Sequence, residues 1–177
     1  MSAALLLRQV AEIAMNADAH GRWYAVIDAA QDPRLFDLIK QCSHHACLIS
    51  GELDPTMARV LPWVVRFDVN EPLMQAWKVH GQGANWGIML QSPLDLWHVK
   101  VKLKKFLNAI LPDGSLVIFR FYDPRVFRTY IQAASHDERE LLFQSVSRYW
   151  IESEKGGRDH DFTWRNGRLC DGTQPIN

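Results

Sequence analysis

The sequence predicts an α/β domain, with α+β left open: a mixed β-sheet flanked by helices in one compact unit with a short C-terminal tail. Three observations point there. Short runs rich in β-branched and aromatic residues alternate with runs whose apolar residues recur at helical spacing. A hydrophobic content of 47% is enough for a buried core. One local unit also occurs twice, a strand followed by Asp-Pro-Arg and an amphipathic helix, at Asp32-Pro33-Arg34 and Asp123-Pro124-Arg125. Alternating strands and capped helices are what layered α and β architectures are made from.

Leu6, Val10, Ile13 and Ala17 mark one face of an opening helix, which His20-Gly21 closes. Trp23 to Asp28 reads as a strand, and Asp32 and Pro33 then start a helix to about Cys42 that buries Leu35, Leu38 and Ile39. Cys47 to Ser50 is a short strand. Pro62 to Asp68 is another, with Pro62 at its first position, where a missing N–H is tolerated. Asn70-Glu71-Pro72 opens a short helix that Gly81 stops, and Trp86 to Gln91 is the next strand. Ser92 is expected to cap a helix with Pro93 in its first turn, running to about Ile110 on Leu96, Val99, Leu103, Phe106 and Ile110.

Leu116 to Tyr122 reads as the central strand, and Asp123 and Pro124 open the helix of Phe127 and Ile131. Ser135-His136-Asp137-Glu138 has the form of a capping box, and Tyr149 to Glu152 that of a last strand. A domain edge is expected near Lys155-Gly156-Gly157, giving a domain over residues 1–155 and a polar tail over 156–177. Within the tail, Asn166-Gly167 suggests a hairpin over 162–170.

Twenty Lys+Arg against twenty Asp+Glu give zero formal charge, which removes the bulk electrostatic case for nucleic acid or a membrane surface. Three cysteines suit reduced thiols in a cytoplasmic protein better than a disulfide framework. No run approaches the ~18 apolar residues of a membrane span, and Arg8 and Glu12 interrupt the apolar start, so the chain reads as soluble and unexported.

Candidates for chemistry do not converge. Gly81-Gln82-Gly83-Ala84-Asn85-Trp86-Gly87 follows a helix and precedes a strand, the reverse of the dinucleotide order, so it reads as a loop. Cys42, His44, His45 and Cys47 are the only dense set of ligand types but lack paired zinc spacings, and no metal or cofactor is expected. Ser50, Glu52, His80, His98, His136 and Asp28 could supply parts of a catalytic site without a context that joins them; no Gly-x-Ser-x-Gly elbow is present. Each Asp-Pro-Arg reads first as a helix start capped by Asp with Pro fixing φ, and otherwise as placing Arg125 or Arg34 on the rim where strands end and ligands often bind. A first-turn cation gains nothing from the helix dipole, so another partner is expected to hold it there, for which a carboxylate within the fold would suffice. Trp77, Trp97, Trp150 and Trp164 sit among polar residues, and tryptophan with arginine nearby is the anchor chemistry of protein interfaces.

The succession Trp23–Ala30, Cys47–Leu53, Leu61–Phe67, Trp86–Ser92 and Leu111–Gly114, with Phe119-Arg120-Phe121-Tyr122-Asp123-Pro124-Arg125-Val126, resembles the domain of unknown function 4123, the type VI secretion effector chaperones or adaptors. The likeness covers roughly residues 22 to 152, and Arg120 to Arg125 is its most specific part. It implies a bacterial, cytoplasmic, non-catalytic protein that binds a toxic effector and helps load it on the VgrG spike. On this resemblance Arg120, Asp123 and Arg125 match the family phrase. Arg125, Arg120, Arg34, Trp97 and Trp150 become partner-contact candidates, and Asp123, Pro124, Asp32 and Pro33 framework. The alternative is an α/β enzyme that acts on a small anionic ligand through the strand-end Asp and Arg residues. A Lys-rich nucleic-acid surface on the 94–110 helix is a third reading.

Overall fold

The computed structural model describes residues 21–68, 70–111, 113–153, 157–172 and 174–176. The helix read from Leu6, Val10, Ile13 and Ala17 lies outside them. Among the described residues ten strands form: β1 (Arg22–Asp28), β2 (His45–Cys47), β3 (Pro62–Arg66), β4 (Gly87–Ser92), β5 (Asn108–Ile110), β6 (Leu116–Ile118), β7 (Arg148–Ile151), β8 (His160–Arg165), β9 (Arg168–Asp171) and β10 (Gln174–Pro175). The helices are α1 (Leu35–Gln41), α2 (Pro55–Ala58), α3 (Pro72–Ala76), α4 (Leu96–Lys104), α5 (Pro124–Ala133) and α6 (His136–Phe143).

Eight strands make one sheet in the order β10-β9-β8-β7-β4-β1-β3-β2, with every pairing antiparallel. A sheet flanked by helices is therefore present, at the α+β end of the expected class. β1 lies inside it, and strand alternation sends its side chains to opposite faces. Trp23, Ala25 and Ile27 join Leu35, Ile39, Leu73 and Met74 in one core beneath α1 and α3. Tyr24 and Val26 join Val99, Leu103, Phe127, Ile131 and Leu142 in a second core beneath α4, α5 and α6. A strand covered on both faces carries an apolar run rather than a polar alternation. At Gly87 a Cβ would collide with the carbonyl oxygen of Val26, so this glycine permits the β1–β4 approach.

Several expected boundaries move. The stretch read as the central strand is not in the main sheet: Leu116–Ile118 pairs only with Asn108–Ile110 in a separate two-stranded ribbon. Phe119 to Tyr122 then turns, with Asp123 N donating to the Arg120 carbonyl at 2.9 Å. The helix expected to reach Ile110 ends at Lys104. Its cap is Asp95, whose carboxylate accepts from His98 N, while the Ser92 hydroxyl accepts from Leu94 N one turn earlier. The stretch read as a polar tail continues the sheet, since β8 pairs with β7 and β9 with β8. Phe162 and Leu169 are buried there, and the chain reverses at Asn166-Gly167 with both φ positive, the geometry of a two-residue hairpin turn. Among the described residues, no helix is long and apolar enough to cross a membrane.

Candidate functional site

Asp28 ends β1 as one of few buried carboxylates, 1% exposed. Its oxygens accept from Ala30 N at 3.2 Å, from Gln31 Nε2 at 2.9 Å and from the Arg120 guanidinium. An isolated carboxylate there would bear a large desolvation cost, which these donors offset. Burial pulls the Arg120 guanidinium down, but the bond to Asp28 and its charge outweigh this and hold it above its usual value. The contact ties the turn before α5 to the end of β1. Because one Asp-Pro-Arg follows Asp28 and the other follows Arg120, both units are tethered at this end of β1.

The two units share one geometry. Asp123 Oδ1 accepts from Arg125 N and Arg125 Nε, each at 2.9 Å, and Oδ2 from Nη2 at 2.6 Å. Asp32 Oδ1 accepts from Arg34 N at 2.9 Å and Nε at 3.0 Å, and Oδ2 from Nη2 at 2.7 Å. Each Asp thus bonds a backbone N–H at a helix start and its own arginine side-on. This is the partner that a first-turn cation requires. Pro fixes the intervening φ, so the carboxylate and guanidinium meet without ordering a long loop.

Asp123 caps α5 directly, whereas after Asp32 the helix begins at Leu35 and its N-cap is Arg34. The side-chain bonds from Arg34, helped by its backbone N–H and its charge and opposed by burial, lower the Asp32 carboxyl to about 2. Burial raises the Asp123 carboxyl, but Arg125 and the charge of Arg120 overcome it and leave the group below its ordinary value. The Arg34, Arg120 and Arg125 side chains remain 56%, 44% and 54% exposed. Among the described residues, the Nη1 groups of Arg34 and Arg125 have no partner, so each arginine is oriented yet still able to donate outward.

The tryptophans divide. Trp97 is 62% exposed on α4 with Lys100 Nζ 5.1 Å from its ring centroid. Trp150 was expected as a contact residue, but it is only 6% exposed and sits opposite Met89 in the core, so it is framework. Trp77 is buried at 3%, and Trp164 is partly buried, stacked on Phe143.

Other groups are occupied. Cys42 and Cys47 are buried and donate to the Leu38 and Pro62 carbonyls, and burial pushes the Cys42 thiol up to about 12. His45 bonds Cys42 O and Lys40. In the Gly81–Gly87 loop, Gly83 N donates to Glu152 Oε2 at 2.9 Å, so a carboxylate takes the donor a phosphate would use. His98 pairs with Asp95 at the exposed start of α4. His136, Asp137 and Glu140 lie within reach of one another but are all exposed. A cavity of about 740 Å³ is lined by Arg128, Gln132, Ser153, Arg158 and His160, and Asp28, Arg34, Arg120 and Arg125 take no part in it.

A family model for a domain of unknown function, DUF4123, matches residues 23–141. No curated protein and no solved structure matches the chain.

Proposed function

Because the chain belongs to the DUF4123 family, we propose that it is a cytoplasmic adaptor of a bacterial type VI secretion system. On this reading it holds a toxic effector, helps load it on the VgrG spike and catalyses no reaction. The observation that carries the reading is the state of the three arginines. Arg34, Arg120 and Arg125 are held by carboxylates at and after the C-terminal end of the internal strand β1 and at the start of α5, and each stays about half exposed. A guanidinium whose orientation is already fixed loses less freedom when a partner carboxylate or carbonyl arrives. Such a surface favours recognition of another protein, where arginine is enriched.

The test is co-expression of the protein with the toxin encoded beside it, comparing wild type with an Arg34→Ala/Arg125→Ala double variant. The adaptor reading expects the wild type to retain the toxin and the double variant to retain at least several-fold less, with little change in melting temperature. Equal retention by both would remove the arginine pair from the interface.

A further inference from the structure

The β5–β6 ribbon presents an apolar face to water. Ile110 lies opposite Leu116 in the register, and Ile118 is two residues along the same strand, so all three share a face. They are 75%, 69% and 71% exposed, and Leu111 beside them 43%. Ala109 and Val117 alternate with them and are partly covered. A surface ribbon ordinarily turns its apolar side inward and its polar side out; this one also shows aliphatic side chains to solvent. Among the described residues, four of the ten strongly exposed large hydrophobics, Ile110, Leu111, Leu116 and Ile118, belong to this short ribbon and its tip, so the exposure is concentrated there. Concentrated apolar exposure of this kind marks an interaction surface.

The ribbon is closed at both ends. Phe119 N donates to the Leu107 carbonyl at its base, and Leu111 N to the Ser115 carbonyl at its tip, where Asp113 also accepts from Ser115 N. The face is therefore held in shape before anything covers it. At its base, Lys104 at the end of α4 and Lys105 in the turn that follows are exposed, and neither forms an ion pair among the described residues. Asp113, the acid at the tip, already accepts from Ser115 N and Oγ.

We propose that this face docks an apolar segment of a partner protein that carries Asp or Glu beside its apolar residues. The aliphatic row supplies the buried contact, and Lys104 and Lys105 meet the flanking carboxylates. The proposal rests on the adaptor reading and names the chemistry of the effector segment that the adaptor holds.

The probes are the toxin encoded by the neighbouring gene and overlapping synthetic peptides that span it, titrated against the full chain. The peptides that bind are expected to be apolar with flanking acids. Ile110→Asp/Ile118→Asp should weaken them by about tenfold or more without lowering the melting temperature. Lys104→Glu/Lys105→Glu should weaken them too and flatten the salt dependence. If both variants keep wild-type affinity for the toxin, the ribbon proposal falls while the adaptor reading stands. If the wild type captures no toxin, both fall. Concentration-dependent self-association that Ile110→Asp/Ile118→Asp abolishes, with toxin still retained, would assign the face to a second copy and overturn the proposal.

Discussion

Arg120 donates to the buried carboxylate of Asp28, across 92 residues of sequence, and so fastens the turn before α5 to the end of β1. The two partners are unequally exposed, 44% for Arg120 and 2% for the Asp28 side chain. Loss of the arginine therefore costs more than loss of an ordinary surface ion pair, because it leaves a buried charge with fewer donors. Arg120→Ala should destabilise the fold by about 2–3 kcal/mol in urea unfolding. Adding Asp28→Asn should recover part of that loss, and a fully additive cycle would show that the two groups do not interact.

Asp123→Ala removes both the α5 cap and the acceptor of Arg125, and should cost about 1–2 kcal/mol. Arg125→Ala keeps the backbone N–H that Asp123 Oδ1 caps but leaves Oδ2 of this 5%-exposed carboxylate without its donor, and should cost about 1 kcal/mol. Its larger effect is expected on toxin retention. A melting-temperature loss in Arg125→Ala equal to that in Asp123→Ala would make Arg125 framework.

Trp97 and Trp150 should behave oppositely. Trp150→Ala empties a packed core position and should cost about 3–5 kcal/mol. Trp97→Ala should change stability by no more than about 0.5 kcal/mol. Thermal melts of the two variants check this directly.

Burial raises the Glu152 carboxyl above its ordinary 4.5, against the donors of Gly83 and Asn85. A carboxyl raised in the folded state binds more protons folded than unfolded, so its contribution falls as pH climbs from about 4.5 through the raised value. Glu152→Gln keeps an oxygen for Gly83 N and removes the titration. Stability of this variant should exceed wild type at neutral pH, and the gap should close toward pH ~4. The lowered carboxyl of Asp32 acts in the reverse sense: its contribution is present above its ordinary 3.8 and is lost as pH falls toward about 2. Asp32→Asn should therefore weaken stability at neutral pH, with the difference shrinking in acid.

The continuous apolar run of Trp23 to Ile27 and the caps at Asp123 and Ser135 were legible because each is a local pattern with one local solution. The ribbon was not. Ile110 continues the helical spacing of Leu103 and Phe106, and Leu116 to Tyr122 has strand composition, so neither pattern shows that the chain leaves α4 at Lys105 and folds back. Trp150 misled because Arg148 and Glu152 bracket its short strand; both faces of the sheet are covered there, and Trp150 lies beside Met89 of β4 in one core while Tyr149 enters the other. The Asp28–Arg120 pair carries no local signal at all, since its members meet only through the tertiary fold.

The central claim is that this chain holds an effector for the spike. Its most direct test is co-purification of the untagged products of the adjacent genes with the tagged full chain. The account predicts recovery of the toxin in a complex that survives moderate salt, with VgrG joining it. Recovery of neither, from a protein that melts cooperatively and binds a small anion instead, would contradict it.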